Sequence, residues 1–309
     1  MQRLVDPEKL DGCVLALGMF DGVHRGHQAL IMRGRELRDT YGVPLTVCTF
    51  EPHPLMVFAP ERAPKRLSVP DERDRLMEDM DVDILAVHTF TREVARTLPE
   101  DFLEELKAIY APRAIVCGYN FTFGYRGQGT VDTLQTFGKA NGIHTEVVDA
   151  VCMDGQPVSS TRIRDALEKG QIHDVSRLLG HAYSLEGRVV HGLGLGRTLG
   201  FATANVELPE EKALPRFGAY VAVMVCGDHA YPAMVNIGHH PTVPGGGIKV
   251  EAHAVDQELA LYDSIVRLEL IDFLRAETKF DGLEALKAQL QRDCAEVRTW
   301  FQQRSEVMK

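Results

Sequence analysis

Near Leu185 the hydrophobic pattern of the chain changes type, and that change constrains the fold more than any motif does. Upstream, the short apolar runs VLALGMF, LTVCTF, DILAVHTF, RAIVCG and HTEVVDA alternate with longer segments of helical period. Such alternation predicts an α/β domain, a parallel sheet wrapped by helices. The helices are expected to begin near His27, Asp71, Glu100 and Thr130, with Pro99 at a first-turn position. Downstream, AYVAVMVC, YPAMVNIG, VEAHAV and SIVRLELIDFL are strand-like and punctuated by Gly and Pro turns, which predicts a small antiparallel β-barrel. The segment DGLEALKAQLQRDCAEVRTWF returns to a helical period, so a C-terminal helix should lay an apolar stripe on that barrel. The expected domains are residues 1–182 and 183–309, with the boundary near Gly180 to Ser184, after a second short helical stretch.

A chain of 309 residues exceeds what one core organises, which agrees with two domains. Its 25% charged and 45% hydrophobic residues are globular values, and no run approaches a membrane span. The amino-terminal MQRLVDPEKLDG lacks the features of a secretory signal, so a cytoplasmic location is expected. The net charge of -10 argues against nucleic acid as a partner. A small phosphorylated substrate stays open, because local cations and backbone amides can neutralise it whatever the global charge. The six cysteines (Cys13, Cys48, Cys117, Cys152, Cys226 and Cys294) lie far apart among mostly apolar neighbours and read as reduced core thiols.

The segment LALGMFDGVHRGHQALI puts a buried-type strand, a Gly-rich turn and a helix start in succession. In an open α/β sheet that is where phosphates bind. Gly18, Gly22 and Gly26 let the backbone turn tightly, and the amides opening the helix offer donors to an anion. His24 and His27 lie three apart across this turn, so both imidazoles can address one phosphate and stabilise developing charge. They read equally as surface residues of a helix start. VSSTRIR sets Ser159, Ser160 and Thr161 ahead of a helix carrying Arg162 and Arg164, either a grip for leaving phosphates or a capped helix with solvated arginines. GYNFTFG follows the strand RAIVCG, and its Asn120 serves either a ligand or a turn.

In that order and spacing, GMFDGVHRGH, GYNFTFG and VSSTRIR resemble the adenylyltransferase module of the bifunctional bacterial riboflavin kinase/FMN adenylyltransferases. The resemblance implies a Rossmann-like nucleotidyltransferase domain. In it His24, His27, Asn120 and Arg164 would act on ATP, with Gly18, Phe20, Asp21, Gly22, Gly26, Ser159, Ser160, Thr161 and Arg162 around the nucleotide. TFEPHPLMVF, residues 49–58, is also similar to the family pattern, which implies that the segment borders the flavin and adenine pockets; alternatively its Pro52, His53 and Pro54 form just a rigid loop.

In the second half, LEGRVVHGLGLGRTLGFATANV resembles the opening of the family's riboflavin kinase barrel. Gly192, Gly194, Gly196 and Gly200 form a loop suited to ATP phosphates, and Thr203 and Asn205 offer oxygen ligands for Mg2+. NIGHHPTV and VEAH continue the likeness, which implies that Glu251 is the general base; alone it reads as a half-exposed strand carboxylate. Arg275 falls in a family-like FLRAETKF, either steadying the closed site or making a surface ion pair. The chain departs from the family at Ala202, where GFPTAN is usual, and at Asp263, where glycine often follows the tyrosine. Alanine leaves φ unfixed and should loosen the loop without removing a ligand.

The implied activity is phosphorylation of riboflavin to FMN by ATP, then adenylylation of FMN to FAD with release of pyrophosphate. Both steps are expected to use Mg2+, and the partners to be small molecules. Two other readings stay open: an FMN adenylyltransferase with an impaired kinase module, which Ala202 supports, and a non-catalytic flavin-binding regulator, against which HRGH, SSTRIR, TAN and Glu251 speak.

Overall fold

The computed structural model describes residues 1–192, 200–239, 247–257 and 259–307, the side chains of the last three apart. Two compact units emerge, Met1–Ser160 and Thr161–Lys309.

The first unit contains β1 (Gln2–Val5), β2 (Val14–Leu17), α1 (Arg25–Tyr41), β3 (Leu45–Glu51), α2 (Pro54–Phe58), α3 (Pro70–Asp79), β4 (Ile84–Thr89), α4 (Pro99–Tyr110), β5 (Ala114–Gly118), α5 (Val131–Asn141) and β6 (His144–Val148). A two-stranded ribbon follows, β7 (Cys152–Met153) with β8 (Gln156–Pro157). The six strands of the main sheet run in the order β1-β4-β3-β2-β5-β6, all parallel. β2 lies at the centre with every residue buried, and its side chains sort by the period of two. Val14 and Ala16 join Phe20, Ile31, Leu45 and Met77 on one face, while Leu15 and Leu17 join Phe102, Leu106, Tyr110 and Leu134 on the other. Cores on both faces explain why these strands read as unbroken apolar runs. Leu15→Ala at this fully buried position is expected to cost about 2–5 kcal/mol.

The helix starts follow local chemistry. Pro70 and Pro99 each occupy a first position, where a missing N–H costs nothing, and Thr130 caps α5. The order of strands reverses between β2 and β5, so a crevice opens beyond their C-terminal ends. β1 was not expected; it is a four-residue edge strand paired with β4 from Gln2↔Ile84 to Val5↔Val87.

The second unit holds α6 (Ser160–Glu168, which starts on the last residue of the first unit), α7 (Ile172–Leu179), β9 (Tyr183–Val190), β10 (Ala204–Glu207), β11 (Gly218–Cys226), β12 (His229–His239), β13 (Ile248–Ala254), β14 (Ile265–Ala276) and α8 (Leu283–Val307). Its strands close an antiparallel barrel in the order β10-β13-β12-β11-β14-β9. The apolar stripe of α7, Ile172, Val175, Leu178 and Leu179, is buried where that helix packs on β9 and β14. α8 packs Cys294 and Val297 against Val221, Met234 and Val255. The barrel and its terminal helix are thus as expected.

The cysteines need one correction. Cys13, Cys48, Cys117 and Cys294 are buried free thiols, and burial pushes Cys13 and Cys48 up to about 12. Two of the six are not in a core: Cys152 is exposed on the short β7–β8 ribbon, and Cys226 is half-buried at the end of β11.

Candidate active sites

The crevice beyond β2 and β5 is a cavity of about 630 Å³. Gly18, His24, Gly26, His27, Asn120, Ser159 and Ser160 all line it, so residues separated by more than a hundred positions meet at the end of the sheet. Its loop is built on left-handed backbone: Phe20 has φ 51°, Gly22 φ 79° and Val23 φ 38°. Only Gly22 of the three turn glycines uses that freedom. Gly18 and Gly26 serve close packing, since a Cβ would stand 3.1 Å from the Phe20 ring and 3.1 Å from the His24 ring respectively.

His24 is the N-cap of α1, and its Nδ1 accepts the His27 N–H at 3.3 Å. The two imidazoles stack, with centroids 3.7 Å apart and planes 13° from parallel, and Phe20 packs against His27. Burial lowers the His24 pKa to about 4. Burial and then the His24 charge push His27 well below the usual histidine range. Both rings are therefore neutral at neutral pH. With its Nδ1 accepting, neutral His24 carries its proton on Nε2 as a donor. Two neutral imidazoles at the positive end of the α1 dipole form a surface suited to an anion.

Phe20, Asp21 and Gly22 do not line the cavity. Phe20 is fully buried behind His27. Asp21 Oδ1 accepts the amides of Leu67 at 2.9 Å and Ser68 at 3.2 Å, and the Gly22 N–H donates to Ser68 Oγ at 2.9 Å. Ser160 Oγ donates to the Asp21 carbonyl at 3.0 Å. These residues hold the loop in place. Asn120 is exposed on the cavity wall just after β5, and the Phe121 N–H closes that turn on the Gly118 carbonyl at 3.0 Å. Thr161, Arg162 and Arg164 follow on α6 and fall in the second unit.

The segments TFEPHPLMVF and GYNFTFG both reach the wall, the first through Phe50, Pro54 and Phe58. Phe50, Phe58, Phe90, Phe102, Phe121 and Phe123 give it a broad apolar part suited to a flat ring system. Arg126 is the one Lys or Arg among the described lining residues. It has φ 55°, rests over the Tyr125 ring at 5.1 Å, and makes no ion pair with another described residue. Non-glycine residues in that conformation cluster at functional sites, the signal that a structure supplies and a sequence does not.

In the barrel, register brings the second set together. Asn205 pairs with Glu251 and with Val190, and Thr203 Oγ1 donates to Glu251 Oε1 at 3.5 Å. Lys249 Nζ lies 2.6 Å from the same carboxylate oxygen. A small cavity of about 80 Å³ is lined by Gly192, Ala202, Thr203, Asn205 and Tyr262, among others. A Cβ on Gly192 would stand 2.2 Å from the Asn205 side chain, so glycine there lets the amide occupy its place. Gly200 has φ 85°, whereas Gly194 and Gly196 lie outside the described residues, as does NIGHHPTV from its second histidine on. Asp263 has φ 64°; this left-handed position explains why a glycine suits it and why aspartate, among side chains, is tolerated. Tyr262 stacks on His191 with centroids 4.0 Å apart.

Arg275 makes no mere surface pair. Its guanidinium grips the buried Asp293 of α8 through bonds of 3.1, 3.0 and 2.7 Å, so it fastens the terminal helix to the barrel.

Comparison with known proteins agrees with this geometry. The FAD synthetase family profile matches residues 6–162, and the riboflavin kinase profile residues 179–301. The bifunctional riboflavin kinase/FMN adenylyltransferase of Escherichia coli strain K12 is 37% identical, over 94% of this chain and 93% of its own length. The protein of that name from Listeria monocytogenes is 31% identical, over 93% of this chain and 92% of its own length. The crystal structure of a macrolide-efflux protein from Streptococcus pneumoniae matches with a TM-score of 0.88 at 28% identity, covering 97% of this chain and 100% of that one. Among the described residues of this chain, no helix is long and apolar enough to cross a membrane.

Proposed function

Since the chain belongs to the bifunctional riboflavin kinase/FMN adenylyltransferase family, we infer that it makes FMN from riboflavin and ATP in its barrel half and converts FMN and ATP to FAD and pyrophosphate in its first half. The observation that carries the residue assignments is the convergence of His24, His27, Asn120 and Ser159 on one large cavity at the switch point of the parallel sheet.

For adenylyl transfer, the FMN phosphate attacks the α-phosphorus of ATP and no covalent nucleophile is required. Catalysis then rests on placing the reactants and on donors aimed at charge that develops in the transition state. The neutral, stacked His24 and His27 at the positive end of the α1 dipole fill that role without a charged ring to bury. The phenylalanine-rich wall suits the isoalloxazine ring, and Arg126 suits a phosphate. Thr161, Arg162 and Arg164 are assigned to the leaving pyrophosphate on the family likeness. We keep the functional boundary between residues 182 and 183 because the riboflavin kinase match begins only at residue 179, although the compact units divide after Ser160 and the FAD synthetase match ends at residue 162, so that most of α6 and α7 lies between the two matches.

For the kinase step, Glu251 accepts the proton of the riboflavin 5′-hydroxyl as the γ-phosphoryl group is transferred. Thr203 and Asn205 fit a hard cation: two oxygen-bearing side chains flank the carboxylate, and glycine at 192 keeps the amide in place. When bound there, Mg2+ would neutralise phosphate charge. A cytoplasmic location fits the ATP requirement and the buried free thiols.

Incubation with riboflavin, ATP and Mg2+, and in parallel with FMN, ATP and Mg2+, followed by chromatographic separation of the flavins, tests the reading. FAD is expected from both reactions. FAD from FMN alone contradicts the kinase half, and no FAD from FMN contradicts the adenylyltransferase half.

A further inference from the structure

We propose that His253 is a positioning residue of the kinase site, holding the backbone of Ala202 so that Thr203 is placed against Glu251. The proposal rests on the kinase reading of the barrel. His253 Nδ1 lies 2.8 Å from the Ala202 carbonyl oxygen, and a carbonyl only accepts, so Nδ1 carries a proton and donates. The ring is buried, and it meets the Phe201 ring edge-on with centroids 5.4 Å apart. Both residues just before Thr203 are therefore gripped by one side chain.

That grip comes from a rigid element. β13 pairs His253 with Met234 of β12 and Glu251 with Asn236, so the same strand presents the carboxylate and, two residues on and on the same face, the imidazole. Residues 201–203 form no strand of their own; β10 begins only at Ala204, and Gly200 just before them has φ 85°. Alanine at 202 leaves its φ free, whereas a carbonyl held by hydrogen bond fixes the peptide plane that leads into Thr203. The contact between Thr203 Oγ1 and Glu251 thus depends on a hydrogen bond between residues 51 apart in sequence. His253 restrains residue 202 from its carbonyl side, where a proline ring would restrain it through φ.

The test is a double-mutant cycle on the full chain with His253→Leu, His253→Asn and Ala202→Pro. Three readouts are taken: the KM for ATP and kcat of riboflavin phosphorylation, FAD formation from FMN on the same preparations, and hydrogen exchange of the backbone amides at 203–205 without ligand. His253→Leu is expected to raise the kinase KM for ATP about fivefold, the scale of one lost hydrogen bond, and to speed amide exchange by a similar factor. FAD formation should stay within about twofold of the parent, and His253→Asn, whose amide can still donate, should restore most of the loss. With proline at 202, the effect of His253→Leu on both KM and exchange should shrink below about twofold. An equal effect in both backgrounds, no effect in either, or a parallel fall in FAD formation overturns the proposal. A parent protein that makes no FMN from riboflavin overturns instead the reading on which it rests.

Discussion

The imidazoles of His24 and His27 stack with centroids 3.7 Å apart, an arrangement that two protonated rings could not keep. Both have pKa values below the ordinary 6.5, His24 reaching about 4. The unfolded chain therefore takes up protons first as pH falls. The stability linked to these rings is fully present above about 6.5, and declines as pH falls from there towards about 4. Urea unfolding across that window should show a falling midpoint. His24→Asn, which keeps a capping side chain, should flatten the dependence. A midpoint with the same slope in the variant contradicts the assignment.

Arg126 lines the adenylyltransferase cavity without a carboxylate partner among the described residues, so its charge is available to a phosphate. Arg126→Gln is expected to raise KM for FMN or for ATP by about tenfold while kcat changes little, the signature of a lost charge-assisted hydrogen bond in binding. Steady-state rates of FAD formation, with each substrate varied in turn, decide it. Unchanged KM values for both show that the residue is only a turn position.

Asp293 is buried and held by Arg275, which ties α8 to the barrel. Removing the arginine leaves a buried carboxylate that keeps the Gln289 hydrogen bond but loses the charge paired with it, so Arg275→Leu should lower the stability of the barrel by about 3 kcal/mol, and adding Asp293→Leu should recover part of that loss. Denaturant melts of the three proteins test this. A double variant less stable than Arg275→Leu would falsify the stranded-charge account.

The parallel sheet, the barrel and α8 were legible because each rests on local periodicity: apolar runs for strands buried on both faces, a helical stripe for Cys294 and Val297. β1 escaped notice because four edge residues carry too little pattern to mark a strand. The HRGH histidines were legible as a pair through their spacing across a helix start, but not their neutrality, which burial imposes. The phenylalanine wall was legible only in part: Phe50 and Phe58 fall in TFEPHPLMVF and Phe121 and Phe123 in GYNFTFG, whereas Phe90 and Phe102 belong to no motif and join them only in the fold. The motif alone points Phe20 and Asp21 at the nucleotide and does not reveal that Phe20 is buried against His27 or that Asp21 accepts the Leu67 and Ser68 amides. Ala202 was readable as a departure, and its carbonyl's anchor was not, since that anchor depends on strand register.

The central claim is that two separate sites, each with its own chemistry, work on one chain. The measurement that tests it most directly is the pair of initial rates, riboflavin to FMN and FMN to FAD, in His27→Ala and in Glu251→Gln. His27→Ala should slow FAD formation by about 10²–10³-fold with FMN formation retained, the cost of losing one preorganised donor. Glu251→Gln should slow FMN formation by about 10²-fold or more with FAD formation from supplied FMN retained. Equal loss of both rates in either variant would contradict the two-site account.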